Sequence, residues 1–241
     1  MDSKVAVILG ASGGIGQAIT HYLTSDSRFA NVVGTYRTNP PSNLDPQCQI
    51  LLDIEDEESI AAAAQKLRES HQKVHLLVNT IGMLHTEEFG PEKKLQDLEP
   101  ENLARIFRVN AIGPALVFKH FHPFFRHDEP SIFATLSARV GSIGDNFIGG
   151  WYGYRASKAA LNQFMRTASI EMARKAPQCA MVSVHPGTVA TALSEPFQKN
   201  VPDHKLFSPE YSAQKILEVL NQLDASQTGK FFAWDGQEIP W

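Results

Sequence analysis

Tyr154 and Lys158 are the pair of residues in this chain whose types and spacing most directly suggest chemistry. They stand at positions i and i+4, so a helix would place the phenol and the ammonium on one face, one turn apart. A fixed cation beside a phenol favours the phenolate, and we expect it to lower the tyrosine pKa from its unperturbed value of about 10. Such a tyrosine can donate or accept a proton near neutral pH. The same spacing also occurs by chance on solvated helices, so the pair needs support from other motifs.

A glycine-rich turn follows the first apolar run of the chain. It reads Gly-Ala-Ser-Gly-Gly-Ile-Gly from Gly10 to Gly16, which is neither Gly-x-Gly-x2-Gly nor a P-loop. Glycines allow a sharp turn and a close approach to a ligand, and the free N–H groups of a helix start favour a phosphate. Because the turn joins the first expected strand to the first expected helix, we predict a dinucleotide site rather than a plain tight loop. Its expected contacts are Gly10, Ser12, Gly13, Gly14, Ile15 and Gly16.

The end of the second expected strand bears on which nucleotide is bound. An acidic residue there would bind both ribose hydroxyls of NAD, but the stretch Gly-Thr-Tyr-Arg ends at Arg37 without a carboxylate. A guanidinium suits a 2′-phosphate and can stack on adenine, so NADP(H) is favoured over NAD(H); the alternative is a solvated surface arginine. Asp53, after the third strand, either accepts a hydrogen bond from the adenine amino group or caps the acidic helix that follows.

Short apolar runs alternate with helical patterns along the chain, which is typical of strands buried on both faces. The expected strands are Val5–Leu9, Asn31–Thr35, Gln49–Leu52, Val74–Val78, Ser131–Leu136, Ala180–Val184 and Lys230–Ala233. The expected helices are Ile15–Ser25, Glu57–Glu69, Glu101–Phe125, Tyr152–Ala176 and Pro209–Leu223. This alternation predicts an α/β fold: one Rossmann-like domain over residues 1–241, with a doubly wound parallel sheet of about seven strands and helices on both faces. The irregular stretch 191–208 is either a lid or an ordinary surface loop.

Composition argues against several classes of protein. With 241 residues, 43% of them hydrophobic, and a net charge of −4, the chain can build a core and gives no electrostatic support for nucleic-acid or acidic-membrane binding. No apolar run is long enough to span a bilayer or to act as a signal peptide. Cys48 and Cys179 form no disulfide framework, and the histidines, including His85 and His185, have no metal-ligand spacing. We therefore expect no metal and a cytoplasmic location.

Three further motifs occur along the chain beside the glycine turn, Asp53 and the Tyr154–Lys158 pair. Asn-Thr-Ile-Gly (79–82) follows the fourth expected strand, Val-Asn-Ala (109–111) lies in the third helix, and Pro-Gly-Thr-Val-Ala-Thr (186–191) follows the sixth strand. Together with the glycine turn, Asp53 and the Tyr154–Lys158 pair, they resemble the short-chain dehydrogenase/reductase family along essentially the whole chain. Residues 141–162 and the ending 231–241 look most similar to the C-factor and sniffer-like carbonyl reductases.

The resemblance implies an NADPH-dependent oxidoreductase that reduces an aldehyde or ketone to an alcohol. Tyr154 would act as the general acid or base, Lys158 would assist it and bind the nicotinamide ribose, and Asn110 would hold a water in a proton relay. The cofactor would further contact Tyr154 itself and Asp53, Ile54, Asn79, Ile81, Gly82, Pro186, Gly187, Val189 and Thr191. The family also implies a homodimer or homotetramer that acts on a small molecule. The composition given above leads us to expect no nucleic acid and no membrane as partner.

The substrate pocket should be apolar with few polar anchors. Loop position makes six residues candidates for its walls, although plain core or lid packing is an equal alternative for each: Met83, Ile143, Phe147, Trp151, Leu193 and Phe197.

The serine of the family's active site has no direct counterpart. The family usually has Ser-Ser-x-x-Gly at the end of the fifth strand, with the second serine catalytic, but alignment on Gly141 places Ala138 there. Ser137 ranks first as the hydroxyl that polarises the carbonyl, although neighbouring strand residues face opposite ways. Ser142 ranks second, and the absence of any such serine third. This departure motivates an alternative, a catalytically weak family member that binds NADP(H) and acts in signalling. A hydrolase is disfavoured, because the chain has no Gly-x-Ser-x-Gly.

Overall fold

A computed structural model describes residues 4–241, in which strands and helices alternate as the sequence predicts. The strands are β1 (Lys4–Leu9), β2 (Phe29–Tyr36), β3 (Gln49–Leu51), β4 (Leu76–Asn79), β5 (Ser131–Leu136), β6 (Cys179–His185), β7 (Thr188–Val189), β8 (Leu206–Phe207) and β9 (Lys230–Ala233). The helices are α1 (Gly14–Thr24), α2 (Glu57–Ser70), α3 (Pro100–Phe107), α4 (Gly113–Phe121), α5 (Tyr152–Lys175) and α6 (Pro209–Leu220).

Seven of these strands form one parallel sheet in the order β3-β2-β1-β4-β5-β6-β9. The chain builds outward from β1 toward β3, then returns to the other side of β1 and builds outward from β4. In open parallel sheets, ligands bind at the carboxyl ends of the strands beside such a reversal. The predicted doubly wound Rossmann-like fold is therefore confirmed, and the reversal fixes where a site should lie.

Each face of the sheet has its own core. Val5, Val7 and Leu9 of β1 pack into a cluster with side chains of α2, α4 and α5. Ala6 and Ile8, which alternate with them, pack into a second cluster with side chains of α1 and α6. Because successive strand side chains point to opposite faces, a strand covered on both sides needs apolar residues at every position. That requirement explains the continuous apolar run near the start of the sequence.

The helix predicted from Glu101 to Phe125 is instead two α-helices, and this prediction is corrected. A π-turn over Arg108–Ile112 separates α3 from α4, and a 3-10 turn follows α4. Single π-turns of this kind often occur at functional sites. Asn110 lies at its centre and is fully buried. Asn110 therefore lies in a π-turn and not in the regular α-helix that the sequence predicts.

The stretch after β7 is more ordered than the sequence suggests. It contains 3-10 turns at Glu195–Asn200 and Asp203–Lys205, and β8 then pairs in parallel with β7. Because of this pairing, the end of the stretch lies beside β7, which directly follows β6. None of the helices in the described range combines the length and the hydropathy that a membrane span requires.

Candidate active site

A cleft of about 760 Å³ runs along the carboxyl ends of the central strands. The structure brings together most of the residues predicted for a nucleotide site and for the chemistry beside it. Those that line the cleft are Gly10, Ser12, Gly13, Gly14, Ile15, Gly16, Arg37, Ile54, Ile81, Gly82, Ser137, Tyr154, Lys158, Pro186, Gly187, Val189 and Thr191. Asp53, Asn79 and Asn110 are outside that lining and neighbour or contact residues that belong to it.

The glycine turn is shaped by close approaches of the backbone. Gly10 has a φ of +83°, a left-handed value that a Cβ would strain. A Cβ on Gly16 would lie 2.1 Å from the carbonyl oxygen of Gly10. α1 then begins at Gly14 with no side-chain cap and no acidic residue in its first turn. Its first N–H groups and the positive end of its dipole are therefore available to an anion.

Arg37 stands at the rim of the cleft, just after β2. Its side chain is more than half exposed, and its guanidinium lies 3.5 Å from the carboxylate of Glu55. An exposed ion pair of this kind is weak. The guanidinium can therefore exchange Glu55 for a phosphate group in the cleft at little cost.

Asp53 belongs to the loop after β3 and does not cap α2. Its carboxylate accepts the N–H of Glu55 at 2.9 Å. The cap of α2 is Asp56, which accepts the N–H of Glu58 at 2.9 Å. The capping alternative for Asp53 is therefore wrong. The loop instead fixes this carboxylate next to Ile54, which lines the cleft.

Hydrogen bonds to β1, to β5 and within the segment itself hold the segment after β4 in place. The Thr80 hydroxyl donates to the carbonyl oxygen of Leu9 at 2.8 Å, which ties β4 to β1. The Asn79 side chain donates to the Thr135 hydroxyl at 3.4 Å and accepts the N–H of Ile81 at 3.1 Å. The Thr80 hydroxyl therefore helps to fix the backbone that forms this side of the cleft.

Asn110 joins that segment to α5. Its Oδ1 accepts the N–H of Met83 at 2.8 Å, and its Nδ2 donates to the Met83 carbonyl at 2.7 Å and to the Ser157 hydroxyl at 3.0 Å. Ser157 lies between Tyr154 and Lys158 on α5. The π-turn thus places one amide where it fixes the cleft segment and the chemistry-bearing helix together.

Tyr154 and Lys158 lie one turn apart on α5, and both are buried, at 8% and 3% exposed. The Lys158 Nζ donates to the carbonyl oxygen of Leu136 at 2.9 Å and lies 5.9 Å from the centre of the Tyr154 ring. A Cβ on Gly141 would lie 2.8 Å from the Cβ of Lys158. The glycine therefore lets the chain after β5 pass close to α5, which brings the ammonium to the strand end.

The expected lowering of the Tyr154 pKa is wrong for this chain on its own. Burial raises the pKa of the Tyr154 phenol above its ordinary value, and burial lowers the pKa of the Lys158 ammonium to about 8. The neighbouring cation favours the phenolate, but desolvation disfavours the charged form of both groups and dominates here. At neutral pH Tyr154 therefore keeps its proton, as a proton donor must.

The three serine alternatives are placed differently. Ser137 lines the cleft, and its hydroxyl is buried without a hydrogen-bond partner among the described residues. Ser142 is also buried, but its hydroxyl accepts the N–H of Asp145 at 3.2 Å and it does not line the cleft. Ala138 packs in one apolar cluster with Leu84 and Tyr154. The geometry thus favours Ser137 over Ser142, while a methyl group occupies the position beside Tyr154.

Four of the six candidate wall residues line the cleft: Met83, Trp151, Leu193 and Phe197. The other two, Ile143 and Phe147, are 78% and 87% exposed and lie outside it. The rings of Trp151 and Phe197 are 5.3 Å apart, and His85 packs edge-on to Phe197 at 5.7 Å. The stretch after Thr191 therefore forms one wall of the cleft, as a lid would.

His185 at the end of β6 lines the cleft, which its sequence context did not indicate. Burial, with a smaller contribution from Arg139, lowers its pKa to about 4, so the ring is neutral near pH 7. Leu84 and Val140 also line the cleft and carry no motif that would predict it. Within residues 4–241, His, Cys, Asp and Glu side chains form no group of three or more that could hold a metal ion.

Comparison with known proteins matches residues 4–202 to the model of a family described as short chain dehydrogenase. Among curated proteins, the chain is similar to C-signal of Myxococcus xanthus, with 33% identity over 168 residues that cover 70% of this chain and 93% of that protein.

Two solved structures are similar over nearly the whole chain. One is the carbonyl reductase Sniffer of Drosophila melanogaster, with a TM-score of 0.83, 19% identity, and coverage of 99% of this chain and 100% of that chain. The other is a short-chain dehydrogenase/reductase from Burkholderia multivorans with bound NADP, with a TM-score of 0.79, 26% identity, and the same coverage.

Proposed function

The chain belongs to the short-chain dehydrogenase family, and on that premise we propose that it is a reductase that uses NADPH to convert an aldehyde or ketone into an alcohol. Its likeness to C-factor and sniffer-like proteins, expected from the sequence, is confirmed. One observation carries the proposal: the Tyr154 phenol and the Lys158 ammonium are buried together on a cleft that also holds the glycine turn.

The residues present fit a dinucleotide that carries an extra phosphate. Gly16 leaves no room for a Cβ, and the uncapped start of α1 offers N–H groups to a pyrophosphate. In the described part of the chain, Arg37, Arg139 and Lys158 line the cleft and no carboxylate does. This balance of charge suits an anionic cofactor. Arg37 would bind the 2′-phosphate, and Asp53 would accept a hydrogen bond from the adenine amino group.

When bound, NADPH would supply the hydride that reduces the carbonyl carbon. Tyr154 donates its proton to the carbonyl oxygen as negative charge develops there. Lys158, held by the Leu136 carbonyl, stabilises the tyrosinate that remains, because a cation one turn away favours the charged form. Asn110 fixes Met83 and α5 relative to each other, and its proposed further role is to hold a water in a proton relay to Lys158.

The substrate end of the cleft is apolar around this donor. Ala138, Leu84 and Tyr154 form one cluster, against which Trp151 and Phe197 pack. Such walls favour a hydrophobic aldehyde or ketone whose oxygen is the main polar anchor. Ser137 is proposed to supply the second hydrogen bond to that oxygen.

A second function, cofactor binding for signalling with little catalysis, is favoured by one observation. The position beside Tyr154 carries the methyl of Ala138 rather than a hydroxyl. Loss of an electrostatic contact to a developing oxyanion costs about 100-fold to 1000-fold in kcat. A measurement of turnover separates the two functions.

We expect the purified protein to oxidise NADPH in the presence of hydrophobic aldehydes or ketones. A panel of aliphatic, aromatic and cyclic carbonyl compounds, followed by NADPH absorbance, tests this directly. At least one compound should give a rate that saturates with its concentration. Binding of NADPH, seen by its fluorescence, with no turnover across the panel would instead support the signalling function.

Arg37→Ala should raise the KM for NADPH by about 10-fold or more, because a hydrogen bond to a charged group contributes about 1.5–3 kcal/mol. The KM for NADH should change by less than about 3-fold, since NADH has no 2′-phosphate for Arg37 to contact. Arg105→Ala is the matched control: Arg105 also approaches Glu55, at 4.0 Å, but does not line the cleft. If Arg37→Ala raised the KM for NADPH and for NADH equally, Arg37 would not be the residue that binds the 2′-phosphate.

Ser137→Ala should lower kcat by about 100-fold to 1000-fold on the best substrate of the panel, because the developing oxyanion loses a hydrogen-bond donor. Ser142→Ala should leave kcat within about 3-fold, since its hydroxyl bonds a loop N–H instead. Steady-state kinetics of the two variants at saturating NADPH provide the comparison. If neither variant differs from the wild type, no serine takes part.

A further inference from the structure

The helix that carries Tyr154 begins in an unusual way. α5 starts after Trp151, whose backbone is left-handed with φ 54° and ψ 47°, and no side chain of Trp151 caps the helix. A left-handed conformation costs a residue with a Cβ about 1–2 kcal/mol, and the first N–H groups of a helix have no acceptor inside it. Contacts from elsewhere in the chain must therefore hold this turn, which contains Tyr154.

Glu92, in the loop between β4 and α3, supplies two such contacts. Its backbone carbonyl accepts the N–H of Trp151 at 2.6 Å. Its carboxylate accepts the N–H of Gly153 at 3.0 Å. The residue is only 8% exposed, and a carboxylate is rarely buried without a partner. Here its partners are a backbone N–H and the positive end of the α5 dipole.

The fit around this carboxylate is tight. A Cβ on Gly153 would lie 2.7 Å from Oε1 of Glu92 and 2.9 Å from a methyl of Leu103. The loop that presents Glu92 is itself held, because the Asp97 carboxylate accepts the N–H of Lys93 at 3.1 Å and of Lys94 at 3.2 Å. Glu92 is therefore a fixed anchor rather than an adaptable surface side chain.

The anchored turn and the chemistry are adjacent. Gly153 immediately precedes Tyr154, and the Trp151 ring packs edge-on to the Tyr154 ring at 6.2 Å. Both rings line the cleft. A shift in the first turn of α5 would therefore move the phenol and a wall of the cleft together. We propose that Glu92 is a positioning residue that fixes the first turn of α5 and, through it, the place of the Tyr154 phenol.

The cap is tested by hydrogen–deuterium exchange, which needs no substrate. Glu92→Ala removes the carboxylate but keeps the backbone carbonyl, and exchange in the peptide that spans residues 151–156 should rise by about 5-fold or more, as expected for one lost hydrogen bond. The control is Asp224→Ala, which removes a carboxylate from the N–H of Ser226 in a turn outside the cleft. It should leave that peptide unchanged. Unchanged exchange in Glu92→Ala would overturn the proposal.

The consequence for catalysis rests on the proposed function. On the best carbonyl substrate, Glu92→Ala should lower kcat by about 10-fold to 100-fold, as a small misplacement of a catalytic group does. The dissociation constant for NADPH should stay within about 3-fold, because Glu92 does not line the cleft. Glu92→Gln retains an oxygen acceptor and should recover most of the lost kcat.

If Glu92→Ala does not fold, kcat is measured for Glu92→Asp instead. This variant keeps the carboxylate charge but has a shorter side chain. Wild-type kcat in the folded Ala or Asp variant would overturn the proposal, and so would a Gln variant as slow as the Ala variant. A wild-type protein that reduces no carbonyl would contradict the proposed function, while the exchange measurement would still decide whether Glu92 holds the turn.

Discussion

The hydrogen bond from the Lys158 ammonium to the carbonyl oxygen of Leu136 joins the sheet to the helix on which the site depends. A buried ammonium is costly unless it is hydrogen-bonded, so the bond fixes how α5 lies against the end of β5. That packing is possible because Gly141 has no Cβ where the chain after β5 meets Lys158. Once Lys158 is placed, helical geometry sets Tyr154 one turn away. The phenol and the ammonium thus share one environment, and desolvation acts on both.

The remaining contacts hold this helix from other directions. Asn110 lies in the π-turn, and its side chain makes hydrogen bonds to Met83 and Ser157. Glu92 bonds the backbone on both sides of Tyr152. Each contact comes from a different segment of the chain, and these segments meet because the carboxyl ends of parallel strands share one edge. The fold therefore holds the protonated Tyr154 phenol, the proton donor of the proposed reaction, in one position.

Most of the fold and much of the site follow from the sequence for physical reasons. β1 is visible because a strand covered on both faces must be apolar throughout. The glycine turn is visible because Gly10 and Gly16 stand where side chains do not fit. The π-turn is not visible, since it changes backbone geometry without requiring particular residue types. That Asp56 rather than Asp53 caps α2 is not visible in the sequence either, because both are acidic residues near one helix start.

The burial of individual side chains is also not visible in the sequence. The nearby charge alone predicts a lowered pKa for Tyr154. Desolvation of the buried phenol has the opposite effect and raises that pKa. The role of Glu92 has no sequence signal, because a lone glutamate in a loop resembles any solvated one. Its meaning appears only when the N-terminus of α5, some sixty residues later in the sequence, is seen to lie against it.

Kinetics of Tyr154→Phe test the central claim, that the Tyr154 phenol donates the proton, most directly. The substitution removes one oxygen and keeps the ring that packs against Trp151 and Ala138. With NADPH and the best carbonyl substrate, kcat should fall by about 100-fold to 10,000-fold, the usual contribution of a positioned acid. The dissociation constant for NADPH should remain within about 3-fold, since the phenol oxygen would contribute at most one of many contacts to the cofactor. A variant that keeps at least about a tenth of the wild-type kcat would contradict the account.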